Sequence, residues 1–98
     1  MAISVTPIGT GSTGVGEFVA EAVRVIERSG LSYQLNAMHT VVEGDLTALT
    51  RLVGEIHAAL FAKGAQRLST VIKIDDRRDA PSTMDAKVRS VERRISRP

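Results

Sequence analysis

Cysteine and tryptophan are absent from this 98-residue chain, and only Phe18, Tyr33 and Phe61 are aromatic. Without cysteine there is no disulfide framework, no thiolate nucleophile and no thiolate metal site. No apolar run approaches the roughly 20 residues that cross a bilayer. No basic segment precedes the first apolar residues as it does in a secretory signal, so the cytoplasm is the expected compartment and no membrane partner is expected. The scarcity of aromatics also weighs against single-stranded nucleic acid, whose bases stack on such side chains. The net charge is only +2. Its basic excess gathers late in the chain, at Arg77, Arg78, Lys87, Arg89, Arg93, Arg94 and Arg97. That density suits a solvated face better than a nucleic-acid footprint. The length allows one domain, 1–98, with a core just large enough to fold alone.

What the chain does have is glycine in a suggestive place. Gly9-Thr10-Gly11-Ser12-Thr13-Gly14 has the spacing G-x-G-x-x-G, after an apolar run and before a helical pattern. A dinucleotide site needs an acidic residue about 20 positions further on to hold the ribose. Gln34 stands there, and no Asp or Glu occurs between Glu27 and Glu43. The stretch also lacks the G-K-[ST] of a phosphate-binding loop. Two readings remain: a loop that meets a small polar or anionic ligand through its N–H and hydroxyl groups at a helix start, or a plain strand-to-helix turn.

The hydrophobic periods give the order of elements. Residues 2–8 alternate as a half-buried strand, with Pro7 confined to an edge or to the end of the ladder. Val15, Phe18, Val19, Ala22, Val23 and Ile26 form one stripe of a helix that Gly30 closes. Two short strands follow, near 32–37 and 39–44. Asp45 then caps a second helix with the stripe Leu46, Leu49, Leu52, Val53, Ile56, Ala59 and Leu60, which Gly64 ends. Residues 67–74 read as a fourth strand. A last helix carries Met84, Val88, Val91 and Ile95, with Ser82 and Asp85 placed as a capping box. The sum is β-α-β-β-α-β plus a C-terminal helix, an α+β ferredoxin-like plan with an antiparallel sheet covered on one face by two helices. Such a chain must still cover its other sheet face, and pairing with another copy is the usual solution.

No catalytic set emerges from the spacing. His39 and His57 have no metal-ligand partners; His57 falls on a polar helix side and is expected at the surface, whereas His39 sits in a turn where it could line a pocket. Glu43 lies in a valine-rich strand and points either to water or to a partner. Asp75, Asp76 and Asp79 alternate with Arg77 and Arg78 as an ion-pair cluster rather than a cation site.

Several stretches together resemble the small thiamine-binding protein family: Ile3-Ser4-Val5-Thr6-Pro7-Ile8-Gly9-Thr10-Gly11, Ser29-Gly30-Leu31-Ser32-Tyr33-Gln34-Leu35, Met38 with Thr40, Glu43-Gly44, and Ile72 to Asp79. The resemblance implies a ferredoxin-like homo-oligomer, dimer or tetramer, that binds thiamine or its hydroxymethylpyrimidine part and is not an enzyme. It implies no further cofactor. Gly9, Thr10, Gly11, Ser12 and Thr40 are then expected to read the pyrimidine edge, Tyr33 and Met38 to wall the ring, and Glu43 to accept from the amino group or face the thiazolium charge. His39 stands where the family tends to have glycine, which narrows the expected pocket or changes its ligand. The alternative is an oligomeric structural or regulatory module of the same fold, with a different small ligand or none.

Overall fold

A computed structural model describes residues 1–9, 15–80 and 83–96. Among these the elements run β1 (Ala2–Pro7), α1 (Val15–Arg28), β2 (Tyr33–Leu35), β3 (Thr40–Val42), α2 (Leu46–Ala62), β4 (Leu68–Lys73) and α3 (Met84–Ile95). The strands form one sheet in the order β2-β3-β1-β4, and every neighbouring pair is antiparallel. This is the α+β ferredoxin-like architecture that the periods predict. Pro7 closes the β1–β4 ladder opposite Leu68, where its missing N–H removes nothing from the pairing.

Local chemistry explains the boundaries. Asp45 accepts from the N–H of Ala48 at 2.8 Å, so α2 starts with one of its free donors satisfied. After α1 the chain turns at Gly30, whose φ of 76° is left-handed and suits glycine; its N–H donates to the carbonyl of Glu27. At α3 the cap is Thr83, one residue beyond the expected Ser82, and it accepts from Ala86. Ser82 itself lies outside the described residues.

The core sits between the sheet and two helices. Along α2, Leu49, Leu52, Ile56 and Leu60 are all buried, at i, i+3, i+7 and i+11. Each such side chain stabilises the fold by roughly 1.5–3 kcal/mol relative to an exposed one. Ile3 from β1 and Val42 from β3 meet them from the sheet. The expected stripe of α1 needs correcting. Val25, outside it, is buried together with Ile26, whereas Val15 and Val19 at its start remain exposed. α1 packs on α2 as well as on the sheet, so where it is buried its arc is wider than one stripe. His57 is a second correction. It is half-buried, its Nε2 lies 2.7 Å from Thr70 Oγ1 on β4, and its ring meets Phe61 edge-on.

In an antiparallel pair, residues directly opposite share a face. Ile3, Val5, Thr40, Val42 and Tyr33 therefore look toward α1 and α2. The opposite, outer face carries Ala2, Ser4 and Thr6 on β1, with Val41 and Val71 on the strands either side. Beyond the sheet, α3 has no buried residue at all.

Candidate functional site

The exposed start of α1 has a local explanation. Its Val15 and Val19, with Ile3 and Val5 of β1 and the β2–β3 turn, enclose a cleft of about 180 Å³. The turn is tight. Leu35 pairs with Thr40, and the N–H of Asn36 donates to the carbonyl of His39 at 3.0 Å, so Asn36, Ala37, Met38 and His39 form a short fixed loop at the mouth. Apolar walls dominate; Ser4 and Thr6 border the cleft but belong to the sheet's outer face, which leaves few polar side chains on the cleft side: Asn36, His39 and Thr40. No charged side chain occurs among those lining residues. Thr40 is 7% exposed, which makes it a buried polar group at the floor of the cleft, on the helix-facing side of the sheet.

Three of the anticipated residues thus come together: Met38, His39 and Thr40. His39 stands in the wall and is exposed; the cleft is open beside it rather than filled by it. Met38 is 82% exposed, an apolar rim that leaves much of its surface to solvent. Gly9 follows β1 with φ 73°, a left-handed conformation that suits glycine. Thr10, Gly11 and Ser12 lie outside the described residues.

Two others sit elsewhere. Tyr33 pairs with Val42, packs on the core, and borders a groove between β2 and α3. Glu43 leaves β3 at the end opposite His39; three residues of strand separate it from Thr40 by about 10 Å. Its Oε1 accepts from the N–H of Met84, the first residue of α3. The carboxylate thereby satisfies one free donor of a helix start and complements its dipole. Nearby, Lys87 Nζ reaches Asp75 Oδ2 at 2.8 Å, and the hydrogen bond from that ammonium holds the Asp75 carboxyl below its ordinary value. Arg78 pairs with Asp76, and Arg77 with Asp79, each at 2.9 Å. The Asp75 to Asp79 stretch is the ion-pair cluster expected of it.

Thr6, Asn36, Val15 and Val19 belong to the lining although the residue spacing did not mark them. A signal was available for the two valines. They continue the α1 stripe into its first turns, at the end next to the chain's glycine-rich stretch.

The sequence and fold have close counterparts. The chain matches the family described as thiamine-binding protein over residues 1–92. It is 47% identical to the UPF0045 protein Mb1933 of Mycobacterium bovis, covering 100% of this chain and 95% of that one. With YqgV of Bacillus subtilis it shares 37% identity over 95% of this chain and 93% of the relative. Among solved structures, a Methanocaldococcus jannaschii protein superposes with a TM-score of 0.83 at 30% identity, over 93% of this chain and 92% of that one. A Thermotoga maritima protein assigned provisionally to thiamine biosynthesis or salvage superposes with a TM-score of 0.76 at 25% identity, over 92% and 94%. By the extent of these matches, this chain is a member of the thiamine-binding protein family.

Proposed function

We propose that this chain is a non-enzymatic binder of the aminopyrimidine shared by thiamine and hydroxymethylpyrimidine, acting as a homo-oligomer in the cytoplasm. The observation that carries the reading is the cleft between β1, α1 and the β2–β3 turn. Its apolar walls suit a flat ring, and Thr40 and Asn36 offer hydroxyl and amide groups to the ring edge. The family match and the thiamine-linked Thermotoga relative supply the ligand class.

Size and charge sharpen the proposal. A cleft of about 180 Å³ is smaller than the roughly 300–1,000 Å³ of sites for drug-sized ligands. One substituted ring fits, and a second ring stays at the mouth. The lining carries no carboxylate to face a thiazolium cation. Glu43, the residue first considered for that task, is engaged at α3 instead. The pyrimidine is therefore the recognised half, and the thiazolium projects past Met38 toward solvent.

Isothermal titration with thiamine and with hydroxymethylpyrimidine tests this. The expected result is saturable heat at about one site per chain, with the two affinities within about tenfold. Thr40→Val keeps the shape and removes the hydroxyl, and a lost hydrogen bond in a buried site weakens binding by about 1–2 kcal/mol, or roughly five- to thirtyfold. No heat with either ligand at millimolar concentration overturns the reading. Thiamine binding more than a hundredfold tighter than the pyrimidine overturns the assignment of the recognised half.

A further inference from the structure

We infer that α3 is an exchange arm: in the homo-oligomer proposed above, its apolar seam lies across the outer sheet face of a second copy, and the second copy's α3 lies across this one. Two surfaces of the same chain carry the inference. The first is the helix. Val88, Val91 and Ile95 are 47%, 52% and 76% exposed, increasingly so toward the free end. Of the seam only Met84, at the anchored start, is half-buried; Val88 borders a groove beside β2, and Val91 and Ile95 show their side chains to solvent. Among the described residues its hydrogen bonds to the rest of the chain come from its first turn, through Glu43 to the Met84 N–H and Lys87 to Asp75; beyond that turn an open groove separates it from β2. A 12-residue helix without tertiary packing is marginal in water.

The second surface is the sheet's outer face. On β1 its side chains are small, Ala2, Ser4 and Thr6. Val41 flanks them on β3, and Val71, 68% exposed, flanks them on β4; Gln34 beyond Val41, and Lys73 and Ser69 either side of Val71, put polar groups around this apolar centre. Small residues between two valines make a shallow trough, and α1 and α2 both pack on the other side of the sheet. A trough of that kind admits a valine and isoleucine ridge at close range.

Area decides for a second copy over an unrelated partner helix. A 12-residue helix is about 18 Å long and about 10 Å across, so laid on a sheet it removes on the order of 350 Å² from each surface. One such contact totals about 700 Å², the size of a lattice contact, whereas two reciprocal ones total about 1,400 Å², inside the range of stable interfaces. Only a partner with both the arm and the trough supplies the second contact, and this chain has both.

The test reads mass and cross-linking, with ligand binding measured separately. In light scattering at about 10 µM the wild type is expected at two or more times the 10.5 kDa chain mass. Val91→Asp and Val71→Asp each place a charge in the seam or the trough at sites already exposed in the protomer, and each is expected to halve the mass or reduce it further with circular dichroism unchanged. Because the chain has no cysteine, engineered thiols report cleanly. Ser4→Cys and Val91→Cys chains mixed and oxidised are expected to cross-link to one another. Full mass retained by Val91→Asp, or Val91→Cys cross-linking to itself in preference to Ser4→Cys, overturns the inference while leaving the oligomer standing. A monomeric wild type overturns both, and a monomer that binds anionic vesicles through α3 assigns the seam to a lipid surface instead. Heat from hydroxymethylpyrimidine with Val91→Asp shows whether the pyrimidine reading survives on its own.

Discussion

Two helices of this chain have nearly the same apolar spacing and opposite fates. In α2 the residues Leu49, Leu52, Ile56 and Leu60 fall at i, i+3, i+7 and i+11 and are 4%, 1%, 0% and 0% exposed. In α3 Met84, Val88, Val91 and Ile95 fall at i, i+4, i+7 and i+11, and the last three are about half exposed or more. The difference lies in what each helix follows. A tight turn with Asp45 as its cap sends α2 straight back over the sheet from β3. The polar stretch Asp75 to Asp79, whose charges pair with one another or with Lys87, leads instead into α3. An amphipathic stripe states that a partner exists; the connection before it decides whether that partner lies in the same chain.

The comparison is broken most directly by truncating each stripe. Leu52→Ala removes a side chain that is 1% exposed, and such changes destabilise by 2–5 kcal/mol. Val88→Ala, measured in dilute solution, is expected to stay within about 0.5 kcal/mol, as exposed substitutions do. Urea denaturation at two protein concentrations separates the cases. The Leu52→Ala loss is expected at both, and the Val88→Ala loss only where assembly contributes to stability. Equal losses for the two variants in dilute solution would mean that α3 belongs to the same core as α2.

Much of this was readable from residues, and the reasons are local. Caps at Asp45 and Gly30, the alternation of β1 and the stripe of α2 each depend on neighbours within a few positions. What escaped depends on long separations. His57 was placed at the surface because its helix position is polar on average; its partner Thr70 is 13 residues away and on a strand. The residues leave Glu43 pointing to water or to a partner, and only the family resemblance turns it to the ligand; the partner found, the N–H of Met84, is 41 residues away. The cleft is legible at Met38, His39 and Thr40, which are contiguous, and not at Val15 or Val19, which border it from α1, about 20 residues earlier in the chain.

Caps give a smaller contrast between the same two helices. Asp45→Ala leaves the Ala48 N–H without its acceptor, and loss of such a cap costs about 1 kcal/mol. Because α2 is built into the core, that loss is expected in the urea midpoint of the whole chain. Thr83 makes the equivalent bond to Ala86 at the start of α3. Thr83→Ala is expected to reduce helical circular dichroism and to leave the midpoint within about 0.5 kcal/mol. A midpoint shift as large as that of Asp45→Ala would contradict the separation of α3 from the core.

The smallest effect concerns how α3 is tethered in acid. Hydrogen bonding from Lys87 is the main reason that the Asp75 carboxyl is held below its ordinary value, with the ammonium's charge adding to it. A carboxylate with a depressed folded value contributes stability that is present above its unfolded value of about 3.8 and is lost as pH falls through the folded one. Both groups face solvent, so the pair is screened and its release shifts α3 without unfolding the body. Side-chain NMR of Asp75 in Lys87→Met is expected to titrate closer to the ordinary carboxylate value than the wild type, with Arg77 and Lys73 still lowering it. The backbone signals of Met84 to Val88 should move with that titration, and those of Leu49 to Leu60 should not. Coincident movement in both helices would tie the arm to the core after all, and would make α3 a fixed part of the protomer.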